Sequence, residues 1–317
     1  MERKIPLLCV VGPTASGKTK LAIELAKRYD GEVVSADSMQ VYRHMDIGTA
    51  KPTPAEKEGI PHHCLDFVEP GESFSVAEYV EHARAAIRQI DGRGKLPILA
   101  GGTGLYVSSL VDNIAFTPTP SSEAVRTELQ QLAVERGNQY LWEMLREIDP
   151  ALADKLHPNN QGRIIRAIEI YRLTGIPMSE HQRLSRAEPS PYRVCMLGLN
   201  FADRRTLYAR IDRRVDQMVQ SGLLEEICAL QRMGYSKTSM QAIGYKEFFS
   251  YLDGNGTLEE AVERVKQETR RYAKRQLTWF RRDDRIRWLN VDEYDGFAPL
   301  LDAAAQRYEQ EKGEAVL

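Results

Sequence analysis

The segment Gly12-Pro13-Thr14-Ala15-Ser16-Gly17-Lys18-Thr19 constrains this chain more than any other. It fits G-x-x-x-x-G-K-[ST], a loop that cradles phosphates. Before it runs Ile5 to Val11, an apolar stretch of buried-strand length. After it Leu21, Ala22, Leu25 and Ala26 recur at helical spacing. Glycines let the backbone turn tightly with several N–H groups pointing inward, and a helix N-terminus adds the positive end of its dipole. Lys18 supplies a mobile cation, and the Thr19 hydroxyl can bind a magnesium ion. An ordinary glycine turn needs none of these fixed positions. The segment is therefore expected to hold a polyphosphate, inside an α/β fold with a P-loop NTPase-like parallel sheet flanked by helices.

The rest of the chain must say what the polyphosphate is for. At 317 residues there is room for two domains or one domain with a large insertion. A net charge of −2 gives no global pull toward nucleic acid, so such binding would need a local patch. Cys9, Cys64, Cys195 and Cys228 form no C-x-x-C pair and read as reduced thiols. No run reaches transmembrane length, and strand-like residues so close to the N-terminus leave no room for a removable signal peptide. A cytoplasmic enzyme is the expectation.

Past a glycine stop at Gly31, Glu32 to Ala36 reads as a second strand that delivers Asp37 to its carboxyl end. Ligands of parallel sheets bind beyond that edge, so Asp37 shares a rim with Lys18; a turn-capping aspartate is the alternative. Asp46 to Pro52 reads as a loop over the site, and His62 to Asp66 as a short edge strand whose paired histidines lack a third metal ligand. Ser75-Val76-Ala77-Glu78 is a capping box opening a helix to about Ile90. Leu96 to Ala100 is a further strand, ending in Gly101-Gly102-Thr103-Gly104, which puts the Thr103 hydroxyl on the same rim unless the glycines only serve a tight turn.

Near Phe116 to Pro120 the character changes, and residues up to His181 read as helices alone, with Ser122 and Asn160 as caps. The expected organisation is a sheet core in two parts, 1–120 and 191–317, with an inserted all-helical domain at 121–190. Arg126, Arg163 and Arg166 of the insertion are either salt-bridge partners or an anion clamp. Thr257-Leu258-Glu259-Glu260, a second capping box, opens a long helix to about Arg282. From Arg264 to Arg287 it and its exit carry ten basic residues, among them Arg270, Lys274 and Arg275, set against Glu268, Asp283 and Asp284 and interleaved with Tyr272, Trp279 and Phe280. Basic residues with interleaved aromatics favour a nucleic-acid backbone over a solvated face. These parts alone leave two enzyme classes open, beside a non-catalytic NTP-binding regulatory module. One is a small-molecule or nucleotide kinase with Asp37 as base. The other is a group transferase whose loop holds a departing diphosphate, with nucleic acid as acceptor.

GPTASGKT, SADSMQVYRHMDIGTAKP, GGTGLYVSSL, NNQGRIIRAIEIY, QAIGYKE and ETRRYAKRQLTWFRR occur in this order. Together they closely resemble the tRNA dimethylallyltransferases (tRNA isopentenyltransferases, the IPP transferase family), from the phosphate loop to about Asp284. The zinc finger of some eukaryotic relatives has no counterpart here. The resemblance implies transfer of a dimethylallyl group from dimethylallyl diphosphate to N6 of adenosine 37 in tRNAs reading UNN codons. It implies Asp37 as the base on that amine and Thr103 as its orienting hydroxyl. The diphosphate would be held by Gly12 to Thr19, by Mg²⁺ through Thr19, and by Arg166. Contacts to the tRNA anticodon stem-loop would come from Asp37, Ser38, Met39, Gln40, Thr103, Arg126, Gln161, Gly162, Arg163, Ile164 and Ile165. Gly244, Tyr245 and Lys246 would add to them, as would Arg270, Lys274 and Arg275. No membrane is implied, and a monomer is expected.

Overall fold

The computed structural model describes residues 3–116, 120–236 and 239–314. Six strands form one sheet: β1 Ile5–Val11, β2 Gly31–Ser35, β3 His62–His63, β4 Leu96–Gly101, β5 Tyr192–Asn200 and β6 Ile286–Asn290. All pairs are parallel, in the order β3-β2-β4-β1-β5-β6. This is the P-loop NTPase-like arrangement, with β1 at the centre and its carboxyl end opening where the chain direction of the winding reverses.

The alternation along β1 explains its central place. Leu7, Cys9 and Val11 enter one core, while Leu8 and Val10 enter the other. With both faces covered, the strand reads as a continuous apolar run. The first core is closed by α3 (Val76–Gly92) and α4 (Gly104–Val111). The second is closed by α1 (Lys18–Arg28) and a C-terminal helix, Phe297–Glu314. Between β2 and β3 the expected loop is followed by one helical turn, α2 (Pro54–Lys57), held by a capping box on Thr53 and Glu56. That turn is too short to show helical periodicity.

The chain divides into two compact units, residues 1–111 with 191–317, and 112–190. The change of character expected around Phe116 to Pro120 falls partly on 117–119, outside the described residues. The smaller unit contains α5 (Glu123–Arg136), α6 (Asn138–Ile148), α7 (Pro150–Ala153), α8 (Gln161–Thr174) and α9 (Met178–Leu184). Its own core joins Leu129, Leu141, Leu145, Ile164, Ile165 and Ile168. Ser122 caps α5 by accepting from the Val125 N–H, but the Asn160 side chain makes no capping bond to α8, contrary to expectation. The larger unit continues with α10 (Arg204–Gln220), α11 (Leu223–Met233), the single turn α12 (Phe249–Leu252), α13 (Leu258–Phe280) and the C-terminal helix, α14. A third core lies beneath α11 and α13 and includes Val41, Tyr42, Met45, Val215, Ile227 and Val265.

Candidate active site

The phosphate loop bends as its glycines require. Gly12 has φ 144°, and a Cβ there would come within 2.5 Å of the Leu199 carbonyl oxygen of β5. Ala15 (φ 61°) and Gly17 (φ 92°) are also left-handed, which turns successive N–H groups toward one concavity. From α10 the Arg210 Nε donates to the Ala15 carbonyl of the loop at 2.9 Å. Ser16 is buried, and its Oγ has no hydrogen-bond partner among the described residues. Lys18 Nζ folds back to donate to the Pro13 carbonyl at 2.6 Å.

Electrostatics mark the same place. Burial, and then the Arg214 guanidinium, push the Lys18 ammonium down to about 7, against the pull of Asp37. Burial likewise lowers Arg214, again opposed by Asp37. Two cations held against desolvation thus face one carboxylate, and an anion placed between them would relieve both. Thr19 is exposed at the rim. Among the described residues no cluster of three or more His, Cys, Asp or Glu side chains could hold a metal. One hydroxyl is nonetheless a fitting protein ligand for Mg²⁺, which takes few protein ligands and completes its shell with phosphate oxygens and water.

These groups line a cavity of about 230 Å³ built wholly within the larger unit. Thr14, Lys18, Thr19, Asp37 and Arg214 supply its polar wall, and Ile211, Val215, Met218 and Val265 its apolar one. A groove of about 740 Å³ shares Lys18, Thr19 and Arg214 and adds Lys20, Lys51 and Arg213. Asp37 sits just past the end of β2 in a turn of its own making. Its Oδ1 accepts from the N–H groups of Met39 at 2.9 Å and Gln40 at 3.3 Å, and no hydrogen bond engages Oδ2 among the described residues. Ser38, Met39 and Gln40 line the cavity beside it. Thr103 does not line the cavity. Its Oγ1 accepts from the Ser38 N–H at 3.0 Å and donates to the Ser38 hydroxyl at 3.3 Å.

This geometry is a phosphate cradle, an apolar recess and a carboxylate within one enclosure, and it has counterparts. The family model described as IPP transferase matches residues 40–283. The chain belongs to the IPP transferase family. Within that family it is 52% identical over 299 residues to a tRNA dimethylallyltransferase of Caldanaerobacter subterraneus, covering 93% of this chain and 95% of the relative. It is 53% identical over 297 residues to that of Acetivibrio thermocellus, with the same coverage. The crystal structure of the tRNA isopentenylpyrophosphate transferase of Bacillus halodurans is similar at TM-score 0.72 and 45% identity, over 99% of this chain and 100% of that one. A eukaryotic dimethylallyltransferase seen acting on tRNA is similar at TM-score 0.78 and 31% identity, over 93% of this chain and 77% of that one.

Several residues singled out from the family motifs have other employment here. Ile164 and Ile165 are buried in the helical unit, at 0% and 5% exposure, because the apolar stripe of α8 turns them into its core. Their side chains support the helix and offer no surface to a tRNA. In the same unit Arg126 and Arg166 both pair with the fully buried Glu169, at 3.0 and 2.6 Å. Both arginines thus have an ion-pair partner, while Gln161, Gly162 and Arg163 stay at least partly accessible at the start of α8.

In the larger unit Gly244 lines the cavity and Lys246 is exposed. Tyr245 is buried, its hydroxyl donating to Glu226 at 2.7 Å. Glu226 also accepts from the N–H groups of Asp46, Ile47 and Gly48, so it pins the 46–51 loop beside the site. The excess charge of α13 is smaller than its sequence suggests. Arg270 pairs with Asp212 of α10 at 2.6 Å and with Glu263 at 2.9 Å, Lys266 with Asp216 at 2.6 Å, and Arg271 with Glu268. The acids that neutralise it lie partly on another helix, where a tally along α13 misses them. Lys274 and Arg275 remain exposed, Arg275 with its guanidinium 5.7 Å from the Tyr272 ring centre.

Arg214, Tyr272 and Gln276 line the cavity without having been singled out as site residues. For Arg214 a signal existed. Leu207, Ile211 and Val215 form the buried stripe of α10, and Arg214 is three residues from Ile211, at the edge of that stripe rather than on the solvent side.

Proposed function

We propose that this enzyme transfers a dimethylallyl group from dimethylallyl diphosphate to N6 of adenosine 37 in tRNAs reading UNN codons, releasing diphosphate. The observation that carries the reading is the joining of Lys18, Arg214 and Asp37 around one partly apolar cavity. A kinase needs a cradle and a base, but no apolar wall at the reacting end.

The reaction is a displacement at the allylic carbon. The N6 lone pair of adenine forms a bond to C1 of the dimethylallyl group, the C1–O bond breaks, and its electron pair leaves with the diphosphate. The amine loses a proton, and the Asp37 carboxylate is positioned to accept it. Thr103, through Ser38, holds the segment after Asp37 in place. Loop N–H groups, Lys18 and Arg214 meet the charge that grows on the diphosphate. Mg²⁺, held through Thr19, would add Lewis-acid neutralisation of that charge. Ile211, Val215, Met218 and Val265 give the allyl group a dry recess and keep water from the carbon. The adenine leaves its stack to enter, as for other enzymes that act on a base. Lys274, Arg275, Lys246 and the accessible start of α8 are the proposed tRNA contacts. The enzyme is proposed to act as a cytoplasmic monomer.

Incubation of tRNA with radiolabelled dimethylallyl diphosphate, Mg²⁺ and no ATP is expected to label the tRNA. Label that enters only from the γ-phosphate of ATP would return the kinase reading.

A further inference from the structure

Resting on that reading, we propose that Gln276 is a positioning residue that sets the register between the diphosphate cradle and the loop carrying Thr103. Gln276 lies on α13 and is buried, at 5% exposure, beside the apolar Ala273, Leu277 and Phe280. A carboxamide in such a place costs free energy unless both of its ends are partnered. Both are. Its Oε1 accepts from the Thr14 N–H of the phosphate loop at 2.9 Å, and its Nε2 donates to the Gly102 carbonyl at 2.9 Å. One side chain therefore ties together loops that follow β1 and β4.

The neighbouring backbone is shaped to receive it. A Cβ on Gly102 would run into Gln276 Nε2, and a Cβ on Gly104 into the Trp279 ring. One turn earlier on α13 the Tyr272 phenol lies against Thr103 and Gln276, whose side chains oppose the rise that burial imposes on it. Residues 272, 276 and 279 share one helix face. They present to the two loops a fixed template, of which only the amide bonds to both. An apolar side chain would fill the same space at less desolvation cost, so packing alone does not account for a glutamine. Because a displacement of about 1 Å between reacting groups can cost roughly a hundredfold in rate, a tie between donor loop and acceptor loop bears directly on turnover.

The test compares Gln276→Met, Gln276→Glu and Gly102→Ala with the native enzyme. Measured are kcat and KM for both substrates, thermal unfolding, and amide hydrogen exchange of peptides covering Thr14 and 102–104. Gln276→Met is expected to lower kcat between about tenfold and a hundredfold, to leave KM for tRNA within about threefold, and to remain folded with an unfolding midpoint lowered by the two lost hydrogen bonds. Exchange should speed up in both loops together. Gly102→Ala, which displaces the amide without removing it, should reproduce the kcat loss. In Gln276→Glu the ionised carboxylate accepts from Thr14 but cannot donate to Gly102. Its activity should recover as pH falls and the carboxyl gains a proton, a trend absent from the native profile. A folded Gln276→Met with native kcat and native loop exchange overturns the proposal. If that variant does not fold, a Gln276→Glu pH profile superimposable on the native one overturns it. Loop exchange reads the tie even where the native enzyme fails to label tRNA, so loss of the proposed function and loss of this inference are told apart.

Discussion

Lys18 offers the sharpest test of the site, because its charge in the free protein is unusual. Its ammonium sits at about 7 rather than 10.5, from burial first and Arg214 second. About one molecule in ten then carries a charged Lys18 at pH 8, and about nine in ten at pH 6. A bound diphosphate restores the charge. Binding is therefore expected to draw about 0.9 proton onto Lys18 at pH 8 and about 0.1 at pH 6. Calorimetric titration with pyrophosphate, in buffers that differ in ionisation heat, measures that uptake. The same titration of Lys18→Met subtracts the protons of pyrophosphate itself. The sign for stability follows from the depressed value. Between about 7 and 10.5 the unfolded chain binds more protons at Lys18 than the folded one, so the Lys18 contribution makes the ligand-free protein more stable as pH rises through that window. The bound anion works the other way. Affinity attributable to Lys18 should fall toward tenfold per pH unit above 7, and the gain in unfolding temperature on adding pyrophosphate should shrink with it. A native-minus-variant uptake near zero at pH 8, or one that does not decline toward pH 6, refutes the placement of the ligand between Lys18 and Arg214.

Two further outcomes concern the acceptor. Asp37→Ala is expected to reduce transfer by about 10² to 10⁴-fold with tRNA binding, measured by filter retention, within a few-fold of native; unimpaired turnover would remove Asp37 as the proton acceptor. Replacing Lys274 and Arg275 together by Gln should weaken tRNA binding and lower the slope of log K against log salt by about two, whereas Arg270→Gln, whose guanidinium is already paired with Asp212 and Glu263, should change that slope far less. Equal slopes for the two variants would show that α13 meets its partner through another face.

The chemistry that resides in contiguous residues was open to reading without coordinates. The phosphate loop between β1 and α1, the capping boxes at Ser75 and Thr257, and the aspartate just past β2 each depend on neighbours a few residues away. Backbone sterics and short-range hydrogen bonds decide such features, and those are encoded locally. Motif order carried the family in the same way. What the sequence did not show were the distant partners of several charged and apolar side chains. Arg270 looks free along α13 and is held by Asp212, 58 residues earlier. Arg126 looks like an anion clamp and is held by Glu169, 43 residues later. Ile164 and Ile165 stand inside a family motif and serve a helix core.

The sequence by itself determined the glycine-bent phosphate loop at the N-terminus of α1 and the carboxylate that stands on the same sheet edge. Only the tertiary structure decided which cation opposes that carboxylate and what joins the two loops of the site. Arg214 reaches Lys18 across 196 residues of chain, and Gln276 reaches Thr14 across 262 and Gly102 across 174. Desolvation and bridging bonds of that kind exist only once the helices are packed, because they depend on what surrounds a side chain and not on what precedes it.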